Sequence, residues 1–225
     1  GGKYKTILGH GINTTTVQIS SGNSHGITMN SSVPRDWSLS YLDGFNLRGN
    51  GMDGSRTNGS AIYLNDLNPV ALNIGQLRIE YWKGPDPVVH FDCTAPFDCH
   101  WDHIYWGRAS TGPTWRANGG NCTNLNVGHA TLINSDYSPV IDIQNADLQL
   151  TFGGIQIENT DTVSGGPGCG LIWAASSSAH FKCGSFAYEA PTNLTSETDY
   201  NSVIRKIDRA PLNINRILFH EPNQP

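Results

Sequence analysis

Charged residues are scarce in this sequence: Asp, Glu, Lys and Arg make up 15% of its 225 residues, against about a quarter in an ordinary soluble protein. The 14 Lys and Arg residues form no cluster, and the formal net charge is −5. Binding to a phosphate backbone needs a basic patch or stripe. We therefore expect no nucleic acid partner.

Long apolar runs are also missing, and none approaches the ~20 residues that a membrane-spanning helix needs. We therefore expect no insertion into a membrane. The chain begins Gly-Gly-Lys-Tyr, without the charged and apolar regions of a signal peptide. We interpret residues 1–225 as one domain, cut from a longer chain.

Cysteine is rare and odd in number, since there are only five, which argues against a complete disulfide framework. No segment has sustained helical periodicity with capping residues at its ends. Glycine is plentiful, with 25 residues, and there are six Trp, eight Tyr and seven Phe. This content of aromatic and apolar residues is enough to build a core, which argues against a disordered chain.

An internal repeat organises the chain. The pattern apolar–x–apolar–Gly–x–apolar–x–apolar occurs at residues 72–79, 125–132, 150–157 and 181–188, with looser copies at 99–106 and 212–219 and a first copy that ends at 42–47. One apolar position recurs 25 to 32 residues apart in all seven copies: Phe45, Leu77, Ile104, Ala130, Ile155, Phe186 and Ile217. Short alternating segments that repeat at this period are typical of a β-solenoid.

We therefore predict an all-β fold, a parallel β-helix of about eight coils formed by a single chain. The apolar positions that repeat at matching offsets should lie inside it, hidden from water. They are Leu72, Ile74, Leu77, Ile79, Leu125, Val127, Leu150, Phe152, Ile155 and Ile157.

The N-terminal region resembles a known family. Residues 6–17, Thr-Ile-Leu-Gly-His-Gly-Ile-Asn-Thr-Thr-Thr-Val, are similar to the first coil of pectate-lyase-like β-helices, an opening that phage tailspikes and polysaccharide depolymerases share. Residues 26–29 and 45–47 continue the likeness, which covers most of the chain as a pattern of turns and apolar positions. The resemblance implies a right-handed β-helix that handles polysaccharide. No catalytic motif of the family matches, so it assigns no catalytic residue here.

Stacking of the coils predicts an outward row along the first strand of successive coils. This row consists of Tyr63, His90, Arg116, Asp142 and Trp173. Aromatic faces can stack on sugar rings, and charged side chains can bind hydroxyl and carboxylate groups. These five residues are therefore candidates for a sugar-binding groove. The alternative is an ordinary solvated face with one Arg116–Asp142 pair.

A second outward row contains the candidate pairs Arg48–Glu80 and Glu158–Glu189, each on neighbouring coils. Stacked carboxylates repel each other, which raises one pKa. Glu158 and Glu189 are therefore candidates for a catalytic acid and base. The alternative is that both side chains extend separately into water.

The densest chemistry lies in a single coil: Asp92, Asp98, His100, Asp102, His103, Tyr105 and Trp106. Asp98 and His100 point outward two residues apart, so they could supply an acid and a base for glycoside cleavage or proton abstraction. Tyr105 is a further candidate for substrate binding. Asp102 occupies the turn position that glycine holds in other repeats, and we expect a structural role in a left-handed backbone.

Two other motifs fail in context. The run from Gly49 to Gly54 fits G-x-G-x-x-G, but a polar loop rather than a helix follows it. Cys93, Cys99, His100 and His103 suggest a zinc site, but Cys99 should face inward and His100 outward. We predict no metal and no cofactor.

Two classes of function remain. The first is a glycan depolymerase, a glycosidase or lyase, and the second is a non-catalytic carbohydrate-binding, adhesin or structural module of a phage tail or cell-surface protein. Both imply a polysaccharide or cell-surface glycan as partner and an extracellular or virion-surface location. Tailspike resemblance and uncapped coil ends further predict a homotrimer.

Overall fold

The computed structural model describes residues 5–19, 25–31, 40–49, 59–66, 71–82, 86–91, 97–107, 115–118, 121–133, 141–144, 147–158, 171–174, 180–189, 204–206 and 211–220. All the regular structure in these ranges is β-strand, as the sequence predicts, and none is helix. Consequently, the described part of the chain has no helix that could span a membrane.

The strands form two sheets. The larger sheet has eleven strands: β1 (Thr6–Leu8), β2 (Thr16–Gln18), β4 (Tyr41–Asp43), β5 (Phe45–Arg48), β7 (Asn73–Glu80), β9 (Phe97–Gly107), β11 (Asn121–Ile133), β13 (Asp147–Glu158), β15 (His180–Glu189), β17 (Leu212–Ile214) and β18 (Ile217–His220). The smaller sheet has seven: β3 (Ile27–Ser31), β6 (Ile62–Asp66), β8 (Val89–Phe91), β10 (Trp115–Asn118), β12 (Ile141–Gln144), β14 (Leu171–Ala174) and β16 (Ile204–Lys206).

The chain alternates between the two sheets. Within the larger sheet the strand order is β1-β4-β7-β9-β11-β13-β15-β17, and within the smaller sheet β16-β14-β12-β10-β8-β6-β3. Neighbours in these two orders pair in parallel; for example, β11 pairs with β9 on one side and with β13 on the other. We call each step along the larger sheet a level, so the path from β1 to β17 has eight levels.

The register of the larger sheet confirms the repeat read from the sequence. The seven recurring apolar residues are partners of one another in an unbroken row, in the order Phe45, Leu77, Ile104, Ala130, Ile155, Phe186 and Ile217. The first six are at most 1% exposed. Ile217 is 44% exposed, because β18 lies at the end of the sheet.

The predicted core is confirmed as well. All ten residues expected inside, from Leu72 to Ile157, are between 0 and 2% exposed and belong to one hydrophobic cluster that includes residues of both sheets. Phe152 and Phe181 from adjacent levels contribute tilted rings 5.9 Å apart. Full burial of each large apolar side chain stabilises the fold by about 1.5–3 kcal/mol.

Each long strand of the larger sheet has a corner where the alternation of inward and outward residues is interrupted. In β7, Ile74 and Leu77 are both buried although three positions separate them. In β13 the same spacing separates Phe152 from Ile155. The two residues between them form the corner, and in β13 both are glycine, Gly153 and Gly154.

Asp102 occupies this corner in β9, since its neighbours Trp101 and His103 pair with the residues on either side of Gly128. That position was predicted correctly, but the left-handed backbone was not. The only non-glycine residues with positive φ in the described ranges are Ala71 (54°) and Tyr81 (56°). Glycine is favoured at the corner for a steric reason instead: a Cβ on Gly128 would lie 2.5 Å from the Asp102 carbonyl oxygen.

Candidate functional site

A continuous row of polar side chains runs along the larger sheet, one residue before each inward position at the corner. In order of pairing, this polar row consists of Thr6, Tyr41, Asn73, His100, Asn126, Thr151, Lys182 and Asn213. Successive side chains of a strand point to opposite faces. Because Leu42, Ile74 and Trp101 are buried, the residues before them point outward.

A depression of about 510 Å³, which we call the central groove, lies over the middle of the polar row. Its polar lining is Tyr41, Asn73, His100, Asp102, Asn126 and Thr151. Gly75 and Gly128 flank Asp102 in register and also line the groove. The exposed Asp102 carboxylate therefore stands between two residues that have no side chains, with space on both sides.

Tyr41 is held at one end of the groove by Asp43. The Tyr41 hydroxyl donates to Asp43 Oδ2 at 3.1 Å, and the backbone N–H of Gln76 donates to Asp43 Oδ1 at 2.7 Å. The hydrogen bond to Asp43 raises the pKa of Tyr41, with smaller contributions from burial and from the carboxylates of Asp43 and Asp102. The phenol therefore remains protonated and can donate a hydrogen bond at neutral pH.

Of the two residues predicted as an acid and a base, His100 lines the central groove and is exposed. Asp98 lies two residues earlier on the same strand, between Phe97, which pairs with Thr123, and Cys99, which pairs with Leu125. The side chain of Asp98 lies outside the described part of the structure. The sequence missed Tyr41, Asn73 and Asn126 as groove residues, although each precedes a repeated apolar position.

Four of the five residues of the predicted sugar-binding row are register partners in the smaller sheet: Tyr63, His90, Arg116 and Asp142. The placement of Trp173 in that row is wrong. Asp142 pairs with Ile172, and Trp173 pairs with Ile143. A shift of one residue moves a side chain to the opposite face of a sheet.

The aromatic rings of this row stack on one another. The rings of His25 and Tyr63 are 4.4 Å apart and nearly parallel, at 16°, and those of Tyr63 and His90 are 5.3 Å apart. His25 is fixed because its Nδ1 accepts a hydrogen bond from the backbone N–H of Ser60 at 2.8 Å. One face of the Tyr63 ring is therefore covered by His25 and is not open to a sugar ring.

The two predicted parts of a single groove lie on different sheets. Tyr63 and His90 are in β6 and β8 of the smaller sheet, whereas Asp98 and His100 are in β9 of the larger sheet. The expectation that Asp98 and His100 act on a glycan bound along the Tyr63 row is therefore corrected. The groove that contains His100 follows the polar row instead.

The second predicted row is present in the register. Arg48 pairs with Glu80, as expected, with 3.7 Å between Arg48 Nη2 and Glu80 Oε2. Glu80 also binds Arg78 at 2.5 Å and accepts a hydrogen bond from Asn46 Nδ2 at 2.9 Å. This network occupies the Glu80 carboxylate with structural contacts.

Glu158 pairs with Ile133, and the pairing of Ile157 with Tyr188 places Glu189 next to Glu158. Tyr105 pairs with Arg78 and Thr131, beyond the corner from His100. The side chains of Glu158, Glu189 and Tyr105, and those of Arg116, Asp142 and Trp173, lie outside the described part. Their predicted roles therefore stay predictions.

Two histidines occupy the corner beside the central groove. The rings of His103 and His129 meet edge to face at 5.3 Å. Burial, and then the charge of His103, lower the pKa of His129. A Cβ on Gly154 would lie 2.6 Å from His129 Nδ1 and 3.1 Å from Ser185 Oγ, so these two groups converge over the glycine.

Within the described ranges, no three His, Cys, Asp or Glu side chains are arranged to hold a metal ion. Comparison with known proteins adds no assignment: no family model, no curated protein and no solved structure matches this chain.

Proposed function

We propose that the two sheets are faces of a single-stranded, right-handed parallel β-helix of about eight coils. The support is the order of the strands: the chain moves from the larger sheet to the smaller sheet and back, and advances by one level each time. The corners divide each long strand of the larger sheet into two segments, which would form the two remaining faces of each coil. The handedness comes from the resemblance of residues 6–17 to pectate-lyase-like β-helices.

We propose further that the protein recognises a polysaccharide or cell-surface glycan along the central groove. The observation that carries this proposal is the polar row, in which all eight levels present a hydrogen-bonding side chain. Strands in a sheet are spaced by about 4.8 Å, so the row repeats its donors and acceptors over about 34 Å. A linear polymer of hydroxyl-bearing units presents partners at regular intervals in the same way.

Cleavage of the bound glycan, by hydrolysis or elimination, is the activity we propose. Asp102 and His100 line the groove, and Asp98 shares their strand. A carboxyl group can protonate the leaving oxygen, and a carboxylate or neutral imidazole can activate water or remove a proton. Such an activity fits an extracellular or virion-surface protein, and the tailspike resemblance adds assembly as a homotrimer.

A panel of purified polysaccharides tests cleavage directly. Released reducing ends report hydrolysis, and the absorbance of unsaturated sugars reports elimination. We expect Asp98→Asn or Asp102→Asn to abolish product release while binding persists. Asp66→Asn, which removes a carboxylate at the end of β6 in the smaller sheet, serves as the matched control and should retain turnover. Full turnover in both groove variants would move the chemistry elsewhere, and Glu158 and Glu189 would be tested next.

A non-catalytic carbohydrate-binding or adhesin module is the second candidate. It is favoured by the exposure of Asp102 and His100, since electrostatic catalysis is strongest in sites that exclude water. The same panel separates the two functions. A glycan that binds without release of any product would establish the binding module, and no binding to any glycan would refute both candidates.

A further inference from the structure

A second depression continues the central groove toward the C-terminal end of the larger sheet. Its volume is about 260 Å³, and it is lined by Gln149, Leu150, Thr151, His180 and Lys182. Thr151 lines both depressions, so they are adjacent along the polar row. We call this second depression the basic pocket.

Four polar side chains of the basic pocket form a compact set on two paired strands. His180 and Lys182 of β15 are both exposed and lie on either side of the buried Phe181. The register pairs His180 with Gln149 and Lys182 with Thr151. The Cα atoms of the set therefore occupy a rectangle of about 4.8 by 6.6 Å, which is the size of one sugar unit or smaller.

The chemistry of these side chains is that of an anion site. Lysine supplies three N–H donors and a full charge, and the amide, hydroxyl and imidazole groups supply further donors. No carboxylate is among the five lining residues. The neighbours of Lys182 in the polar row, Thr151 and Asn213, are neutral. The ammonium group of Lys182 is therefore a local positive charge on a protein whose net charge is −5.

We propose that the basic pocket binds an anionic substituent of the glycan, a carboxylate or a sulfate ester, with Lys182 as its charged partner. This inference rests on the proposed recognition of a glycan by the adjoining groove. Lys182 supplies a charge-assisted hydrogen bond, while Gln149 and Thr151 donate to the remaining oxygens. The central groove binds the neutral hydroxyl groups, and the basic pocket selects among glycans by charge.

Calorimetric titration with matched glycans tests the selection. The ligands are a uronic acid polymer, the same polymer with its carboxyl groups reduced to alcohols, and a sulfated polymer of a neutral backbone. We expect an acidic form to bind about tenfold more tightly than the carboxyl-reduced form, a factor that corresponds to 1.4 kcal/mol. Raising the salt concentration should reduce this preference because the site is exposed. The uronic and sulfated polymers distinguish the two kinds of anion.

Lys182→Gln should remove the preference and leave the affinity for the carboxyl-reduced polymer unchanged, and Lys182→Arg should retain it. Arg205→Gln is the matched control, since it removes one positive charge from β16 in the smaller sheet. Equal affinity of the wild-type protein for charged and uncharged polymers would overturn the inference and leave glycan recognition intact. Retention of the preference by Lys182→Gln would also overturn it. Binding to none of the polymers would overturn glycan recognition, and this inference with it.

Discussion

Replacement of Gly153 and Gly154 by alanine, one at a time, tests the corner of the larger sheet. Gly153 is exposed and Gly154 is buried, so burial alone predicts that Gly154→Ala is the more damaging change. Contacts predict the opposite. A Cβ on Gly153 would overlap the backbone carbonyl oxygen of Gly128 on the adjacent level, whereas a Cβ on Gly154 would meet only side-chain atoms of His129 and Ser185.

The contacts also set the size of the two effects. Positive φ occurs at Gly11, Gly44 and Gly59 among the described glycines, so backbone strain enters at neither position. The Gly128 carbonyl belongs to the paired backbone of β11 and cannot rotate away, and forced overpacking costs about 1–3 kcal/mol or more. The side chains over Gly154 can turn at about 0.5–1.5 kcal/mol. Alanine gains about 0.4–1 kcal/mol at both positions by restricting the unfolded chain.

We therefore expect Gly153→Ala to lose about 2 kcal/mol and Gly154→Ala to change stability by less than about 0.5 kcal/mol. For a protein of this size these values correspond to a Tm lower by about 4–8 °C and a change of less than about 2 °C. Differential scanning calorimetry of the two variants and the wild type gives the comparison. Equal losses, or a larger loss in Gly154→Ala, would show that the register of β11 and β13 differs from the one described.

Three further predictions concern titration and packing. Because burial lowers the pKa of His129, the unfolded chain takes up its proton first as the pH falls. The Tm should therefore drop below about pH 6.5, and His129→Gln should flatten the drop; an unchanged slope in that variant would contradict the assignment. Burial raises the pKa of the Cys183 thiol to about 11, so a thiol reagent at pH 8 should label Cys183 only after denaturation, and rapid labelling of the native protein would contradict its burial. The buried thiol also resists ionisation that the unfolded chain allows, so stability should decline as the pH rises from about 8.5 toward 11. Ile155→Asp places a carboxylate in the core, where the residue is 1% exposed, and should unfold the chain as followed by circular dichroism; a native spectrum would refute the inward placement of this row.

The repeat could be predicted from the sequence because the spacing of the apolar residues records the level-to-level step directly. The row from Phe45 to Ile217 was obtained in full even though its steps vary between 25 and 32 residues. Alignment of the surrounding letters, rather than a fixed period, located each member. Burial of one face of every strand enforces this register, since a slip by one residue would expose the core.

The same rule explains the error at Trp173. Steps of 26 residues join His90, Arg116 and Asp142, but the next step must cross residues 159–170, where the connection has a different length. The register partner of Asp142 is 30 residues away, at Ile172, and Trp173 is 31 away. A one-residue error in a connection of unknown length was sufficient to move the aromatic ring off the row.

The candidate site could be predicted only in part. His100 was found because its strand is dense in ionisable residues, whereas Tyr41 and Asn73 stand among ordinary surface residues. Only the pairing of β4, β7 and β9 places them beside His100. The convergence of His129 and Ser185 over Gly154 depends on the direction of side chains two levels apart, which no spacing in the sequence encodes.

The strand order also affects the entropy of chain closure. Paired strands join residues that are 35 apart at Thr6–Tyr41 and 25 apart at Leu125–Leu150. Closure entropy grows with the logarithm of loop length, so these two closures differ by only about 0.3 kcal/mol. No level is favoured as the starting point of folding by its loop length. Doubling the length of any one connection would cost only about 0.6 kcal/mol, which leaves the loops free to diversify in sequence and size while the stacked strands stay the same.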